Sequence, residues 1–159
     1  MAPGQLKAAM WVHGTAMEVE NPDGLIPNGI IREGIGTHFY GHSKSFNWFH
    51  IPIPTPVVLD GHRSSLVSVF LFYQFFAGSI TNVHVWDGPH RVRMFDNLKL
   101  KGNHLNEIDN QNKWIIDPPL PINYGLKLAI GVQFATNFDT PDTVDKLEFL
   151  VSTAGADFR

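Results

Sequence analysis

Two short segments of this chain each place a tryptophan two residues from a histidine. In Phe46-Asn-Trp-Phe-His50 the pair is Trp48 and His50; in Asn82-Val-His-Val-Trp86 it is His84 and Trp86. Both segments alternate such residues with phenylalanine, isoleucine or valine, a period of two that sends successive side chains to opposite faces of a strand. If Phe49, Ile51 and Ile53 face a core, then Phe46, Trp48 and His50 turn the other way. By the same parity Val83 and Val85 point inward, and Asn82, His84 and Trp86 point out. An indole is costly to leave in water, and imidazole or amide neighbours supply directed hydrogen bonds. Such a platform stacks on a carbohydrate ring or a small aromatic ligand. The same chemistry serves subunit interfaces. A loop such as 101–112 folded over this face would instead make the residues a second layer of core. Histidine titrates near neutrality, so His50 or His84 between tryptophan walls also suits a small cofactor-independent lyase, isomerase or cyclase.

Other chemistries find less support. Eight histidines raise the question of a metal. His38 and His42 sit among Gly34, Gly36 and Gly41, which read as strand and loop. Four positions apart on a strand is roughly 13 Å, too far to share a zinc. His84 and Asp87 fall on opposite faces, and no H-E-x-x-H, H-x-H or H-x-D pattern occurs. No metal and no cofactor are therefore expected. The serines offer no G-x-S-x-G elbow. Glu18 and Glu20 read as a solvated strand face rather than a hydrolytic carboxylate pair. Asp139, Asp142 and Asp145 form an oxygen-rich turn of the kind that can hold calcium. They lack the glycine and acid order of a defined calcium loop and read as a solvated hairpin loop.

The elements that must position the Trp/His rows are strands. Leu126, Leu128, Ile130, Val132 and Phe134 alternate with Lys127, Ala129, Gly131 and Gln133, and Leu147, Phe149 and Val151 alternate after a turn-rich stretch. Two such strands imply an antiparallel sheet with one buried and one wetter face. Further strands are expected at Ala8 to His13, Gly29 to Glu33, Gly36 to Tyr40, Ser45 to Ile53, Ile80 to Asp87 and Arg91 to Phe95. Leu66 to Phe76 is apolar on both parities, which suits a central strand or a subunit contact. Helical periodicity is weak throughout. The expected fold is an all-β antiparallel β-sandwich, a jelly roll or related Greek key, with about eight to ten strands. Its predicted core is Val69, Leu71, Val83, Val85, Leu128, Ile130, Val132, Phe149 and Val151.

The 159 residues fit one domain, 1–159, large enough to bury a core without staples. The absence of cysteine removes disulfides, thiol nucleophiles and thiolate metal ligands. A net charge of −3 argues against a nucleic-acid partner, and His90-Arg-Val-Arg93 is too short to reverse that. No apolar run is long enough to span a membrane. The opening residues lack the pattern of a secretory leader, so a cytoplasmic protein is expected unless it is exported by another route.

Four segments resemble those of an uncharacterised family of small actinobacterial and fungal all-β proteins of about this length. They are Met10-Trp-Val-His-Gly14, Asn47-Trp-Phe-His-Ile-Pro-Ile-Pro-Thr-Pro-Val57, Ser79-Ile-Thr-Asn-Val-His-Val-Trp-Asp-Gly88 and Ser152-Thr-Ala-Gly-Ala-Asp-Phe158. The resemblance implies one domain spread over nearly the whole chain and brings no activity with it. It places Trp48, His50, His84 and Trp86, together with Trp11 and His13, in its most recognisable segments. Low charge, a strand apolar on both sides and outward Trp/His rows together predict a non-catalytic module, structural or ligand-binding, that forms a homo-oligomer. The alternatives are the acid–base enzyme and a carbohydrate-binding module stacking sugars on Trp48 and Trp86.

Overall fold

The computed structural model describes residues 4–136 and 147–159. Asp139, Asp142 and Asp145 lie outside the described residues. The fold is all-β and antiparallel. The strands are β1 (Ala8–His13), β2 (Glu18–Val19), β3 (Leu25–Glu33), β4 (Gly36–Gly41), β5 (Phe46–Ile53), β6 (Val58–Leu59) and β7 (His62–Arg63). They continue with β8 (Ser65–Asp87), β9 (His90–Phe95), β10 (Leu100–His104), β11 (Lys113–Pro121), β12 (Leu126–Phe134) and β13 (Glu148–Phe158). No helix among the described residues is long and apolar enough to cross a membrane.

Thirteen strands replace the expected eight to ten. Part of the difference is the β6–β7 hairpin, whose turn residues Asp60 and Gly61 both have positive φ, at 50° and 76°. That is the backbone a two-residue hairpin turn requires. A larger difference lies in β8. The sequence predicts two strands parted by Ala77-Gly78-Ser79, whereas one strand of 23 residues runs through. Its first half pairs with β13 (Leu66 to Phe75) and its second half with β12 (Gly78 to Asp87). Along its other edge lie β11, β10 and β9 in turn. The result is one curled antiparallel sheet of eleven strands, with β6 and β7 forming a separate two-stranded sheet.

The curl creates two arms that face each other. Beside β13 lie β4 and β1, and beside β12 lies β5. Phe39 of β4 meets Phe49 of β5 at 4.7 Å between ring centroids, and Phe49 meets Phe149 of β13 at 5.2 Å. Phe75 closes the cluster against Phe149 and Phe134, at 5.3 and 5.5 Å. Every residue of the predicted core is fully buried. The both-parity apolar stretch of β8 is central, as its pattern requires. Its outward rings are covered by Trp11 of β1, stacked 5.0 Å from Phe70 and edge-on 5.5 Å from Phe72.

Asp87, at the inward end of β8, ties the turn before β12 to the sheet. Its carboxylate accepts hydrogen bonds from the backbone N–H groups of Asn123, Tyr124 and Gly125 at 2.9, 2.8 and 3.0 Å. Burial favours the protonated form, but these three donors outweigh it and hold the carboxyl below its ordinary range. Because the folded value is the lower one, the stability it contributes is present above the unfolded value and lost as pH falls below about 4. Asp87→Ala is expected to destabilise the fold by about 3 kcal/mol in a urea titration at pH 7, since it strands three partly buried donors. The difference between variant and wild type should shrink as the titration is repeated toward pH 3.

Candidate functional site

The parity expected for the two Trp/His segments is the parity found. On β5, Phe49 and Ile51 are fully buried, while Trp48 and His50 are part-exposed on the other face. On β8, Val83 and Val85 are fully buried, and Asn82, His84 and Trp86 line the outer face. Strand β12 runs between them. His50 is in register with Ala129 and Ala129 with His84; Trp48 is in register with Gly131 and Gly131 with Asn82. Large side chains therefore stand on two strands roughly 10 Å apart, over a middle strand bearing Ala129 and Gly131. Small residues flanked by large ones leave a depression.

A cleft of about 240 Å3 results, lined by Glu20, Trp48, His50, His84, Trp86, Arg91 and Ala129. The indole of Trp48 leans across the middle strand and lies 4.9 Å from the His84 ring, tilted by 42°. His84 Nε2–H donates to Asp96 Oδ1 at 2.7 Å. Asn82 Nδ2 donates to the same oxygen at 2.6 Å, and Thr81 Oγ1 donates to Asn82 Oδ1 at 2.6 Å. These bonds form one chain from Thr81 to the imidazole. Asn82 thus holds Asp96 in place rather than lining the cleft. The Asn82 and His84 donors, with Arg91 nearby, keep the Asp96 carboxyl below its usual range. On the opposite wall, His50 Nε2 lies 3.1 Å from Glu20 Oε1. Its Nδ1 is buried without a hydrogen-bond partner. Lys127 Nζ sits 5.2 Å from the Trp86 ring centroid.

The structure therefore gathers Trp48, His50, His84 and Trp86 into one cleft and joins Asn82 to it through Asp96. Sequence reasoning missed Glu20, Arg91 and Asp96. The loop 101–112, the alternative cover for this face, contributes no residue to the cleft wall: Asn112 Nδ2 donates to the carbonyls of His104 and Glu107, and Tyr73 Oη donates to the Gln111 carbonyl. His38 is engaged by Glu148, whose Oε1 lies 2.5 Å from its Nδ1. Among the described residues no three His, Asp or Glu side chains gather in a way that could hold a metal.

Fold and site together define a class: an all-β protein with an aromatic, hydrogen-bonding cleft on the outer face of a curled antiparallel sheet. The chain belongs to DUF6623, a family of unknown function, whose pattern matches residues 5–159. No curated protein and no solved structure matches it.

The chain of bonds fixes a tautomer. With Nε2–H committed to Asp96, neutral His84 leaves Nδ1 as the acceptor. Long-range 1H–15N NMR at pH 8 is expected to show an Nε2–H signature for His84, and Asp96→Ala to convert it to a mixture of tautomers.

Proposed function

We propose that the protein is a non-catalytic binding module that holds a sugar ring in the cleft between β5 and β8. The observation that carries this reading is the joining of two indoles and four hydrogen-bonding side chains around one small depression. A pyranose offers C–H faces to stack on indole and a rim of hydroxyls that need directed donors and acceptors. Glu20, His50, His84 and Arg91 supply such groups at the cleft wall. Its volume of about 240 Å3 is below the roughly 300–1,000 Å3 of sites for drug-sized ligands. One ring fits that size.

The acid–base alternative is favoured by the His84–Asp96 and His50–Glu20 pairs. Against it, the Nε2 of each imidazole is already engaged by a carboxylate, and Trp48 lies against His84. Self-association has separate support in the exposed apolar side chains of Phe76, Ile115 and Met94, which are 66%, 57% and 51% exposed. The edge of β3 does not favour strand pairing between copies. A bulge between Leu25 and Ile30 carries Pro27 and the positive-φ Asn28, both of which blunt an edge.

A panel of oligosaccharides titrated against tryptophan fluorescence tests the binding reading. The expected result is saturable quenching by at least one member, with affinity falling at least tenfold in Trp86→Ala. No response across the panel, or an unaltered response in that variant, removes the proposal. Light scattering after size exclusion tests self-association in the same samples: a species larger than 17.8 kDa is expected, and a strict monomer at micromolar concentration ends that part.

A further inference from the structure

Charge around the cleft is unevenly spent. Its two carboxylates each have a hydrogen-bonding partner: Glu20 lies against His50, and Asp96 accepts from Asn82 and His84. The cations have no described carboxylate within ion-pair distance, although Lys127 lies over the Trp86 ring and the charge of Arg91 acts on Asp96. No ion pair among the described residues engages Arg91, Lys99, Lys101 or Lys127. The pairing register puts Lys127 and Arg91 on either side of Trp86. A ring stacked near Trp86 would therefore meet an ammonium on one flank and a guanidinium on the other.

A second groove of about 570 Å3 lies further along the same strand, with Ser79, Thr81, Asn82, Lys99 and Lys101 in its wall. Asn82 links the two through hydrogen bonds: it forms part of this groove's wall, and its amide donates to the Asp96 oxygen that also accepts from His84 of the cleft. Trp86 and Ser79 are seven positions apart along one strand, roughly 23 Å of extended chain. Exposed Lys99 and Lys101 stand at the far end of that track. Cations outside any ion pair at both ends, and hydroxyl- and amide-bearing side chains between them, suit a polymer with repeated negative charge.

Resting on the sugar-binding reading, we infer that the ligand is an acidic oligosaccharide, its rings bearing carboxylates or sulfates, laid along the outer face of β8 from Trp86 to Ser79. Arg91 and Lys127 take the anionic group of the ring in the cleft. Lys99 and Lys101 take that of a ring further along. Asn82 and Thr81 face the hydroxyls between.

The test is isothermal titration calorimetry of the full chain with hexamers of galacturonate, hyaluronan and a sulfated heparan-type sugar. Each is run beside its carboxyl-reduced or desulfated counterpart. At least one acidic hexamer is expected to bind tenfold or more tightly than its neutral counterpart, with affinity falling as salt rises. Arg91→Gln with Lys127→Gln should abolish most of that preference, and Lys99→Gln with Lys101→Gln should reduce it for the hexamer but not for a dimer. These side chains lie on the surface, and an unchanged melting temperature confirms that the variants are folded. Arg63→Gln, in the remote β6–β7 hairpin, should leave binding as it was. Equal or tighter binding of the neutral hexamers overturns the inference while leaving the sugar-binding module intact, and binding by none removes both. A loss in Arg63→Gln equal to that in the cleft variants marks a diffuse charge effect and also overturns it.

Discussion

The rest of this structure depends on one strand that is apolar on both faces and is shared by both arms of the sheet. β8 gives its first half to β13 and its second to β12, and its opposite edge to three further strands. A strand with a wet side could not do this, because near its start one face meets the Phe core while the other lies beneath Trp11. The passage from one arm to the other occurs at Gly78, where φ is 149° and an added Cβ would lie 2.1 Å from the Gln133 carbonyl oxygen. Only glycine fits there. A side chain would force the strand to break, and the two arms would then be separate sheets with free edges.

From that shared strand the geometry of the outer face follows. Past Gly78, a register shift opposite Gly131 and Val132 sets the parity of β8, turning Val83 and Val85 inward and His84 and Trp86 outward. The middle strand must then be small where the flanking side chains converge. An added Cβ at Gly131 would lie 2.7 Å from Asn82 Oδ1 and 3.1 Å from Phe46 Cζ. Bulk at this position would push Asn82 off Asp96 and so release His84. The packing that makes the depression and the bonds that orient its polar groups are therefore one constraint.

Period-two alternation made the inward residues legible, and β12 spans the residues its pattern predicts, Leu126–Phe134. What alternation cannot convey is where a strand shifts register. From the β8–β9 turn, where Asp87 pairs with His90, straight counting places Phe95 opposite Asn82. A shift between Val85 and Trp86 adds one residue, so Val83 faces Phe95 and Asp96 comes next to Asn82. That single insertion puts the carboxylate against His84, and the sequence carries no sign of it. Arg91 was within reach, since the tight turn at Gly88-Pro89 sets it near Trp86. Glu20 was hidden for another reason: it follows a strand of only two residues, too short to show a period. The proline-bearing end of β11 leaves the ladder after Ile115, and Leu120 and Pro121 rejoin β8 beyond an irregular stretch.

Twice on the outer surface a tryptophan has a glycine as its register partner, and the surroundings of the two differ. In one arm Trp11 lies over Gly155, its register partner, and stacks on Phe70 in the next strand. In the other, Trp48 lies beside Gly131 and leans on His84. A tryptophan beside a glycine shields bare backbone, so the device alone signifies sheet stability. Around Trp11 the ring partners are phenylalanines, which add burial and nothing directional. Around Trp48 the partner is an imidazole fixed by a carboxylate, itself fixed by an amide and a hydroxyl. Stability alone does not call for such a chain, since a second phenylalanine at position 84 would cover the sheet at lower cost in desolvated polar groups. Directed polar groups beside half-exposed indoles are what selective recognition of a hydroxylated ring requires. On that ground the face carrying Trp48, rather than the one carrying Trp11, is the one we propose for binding.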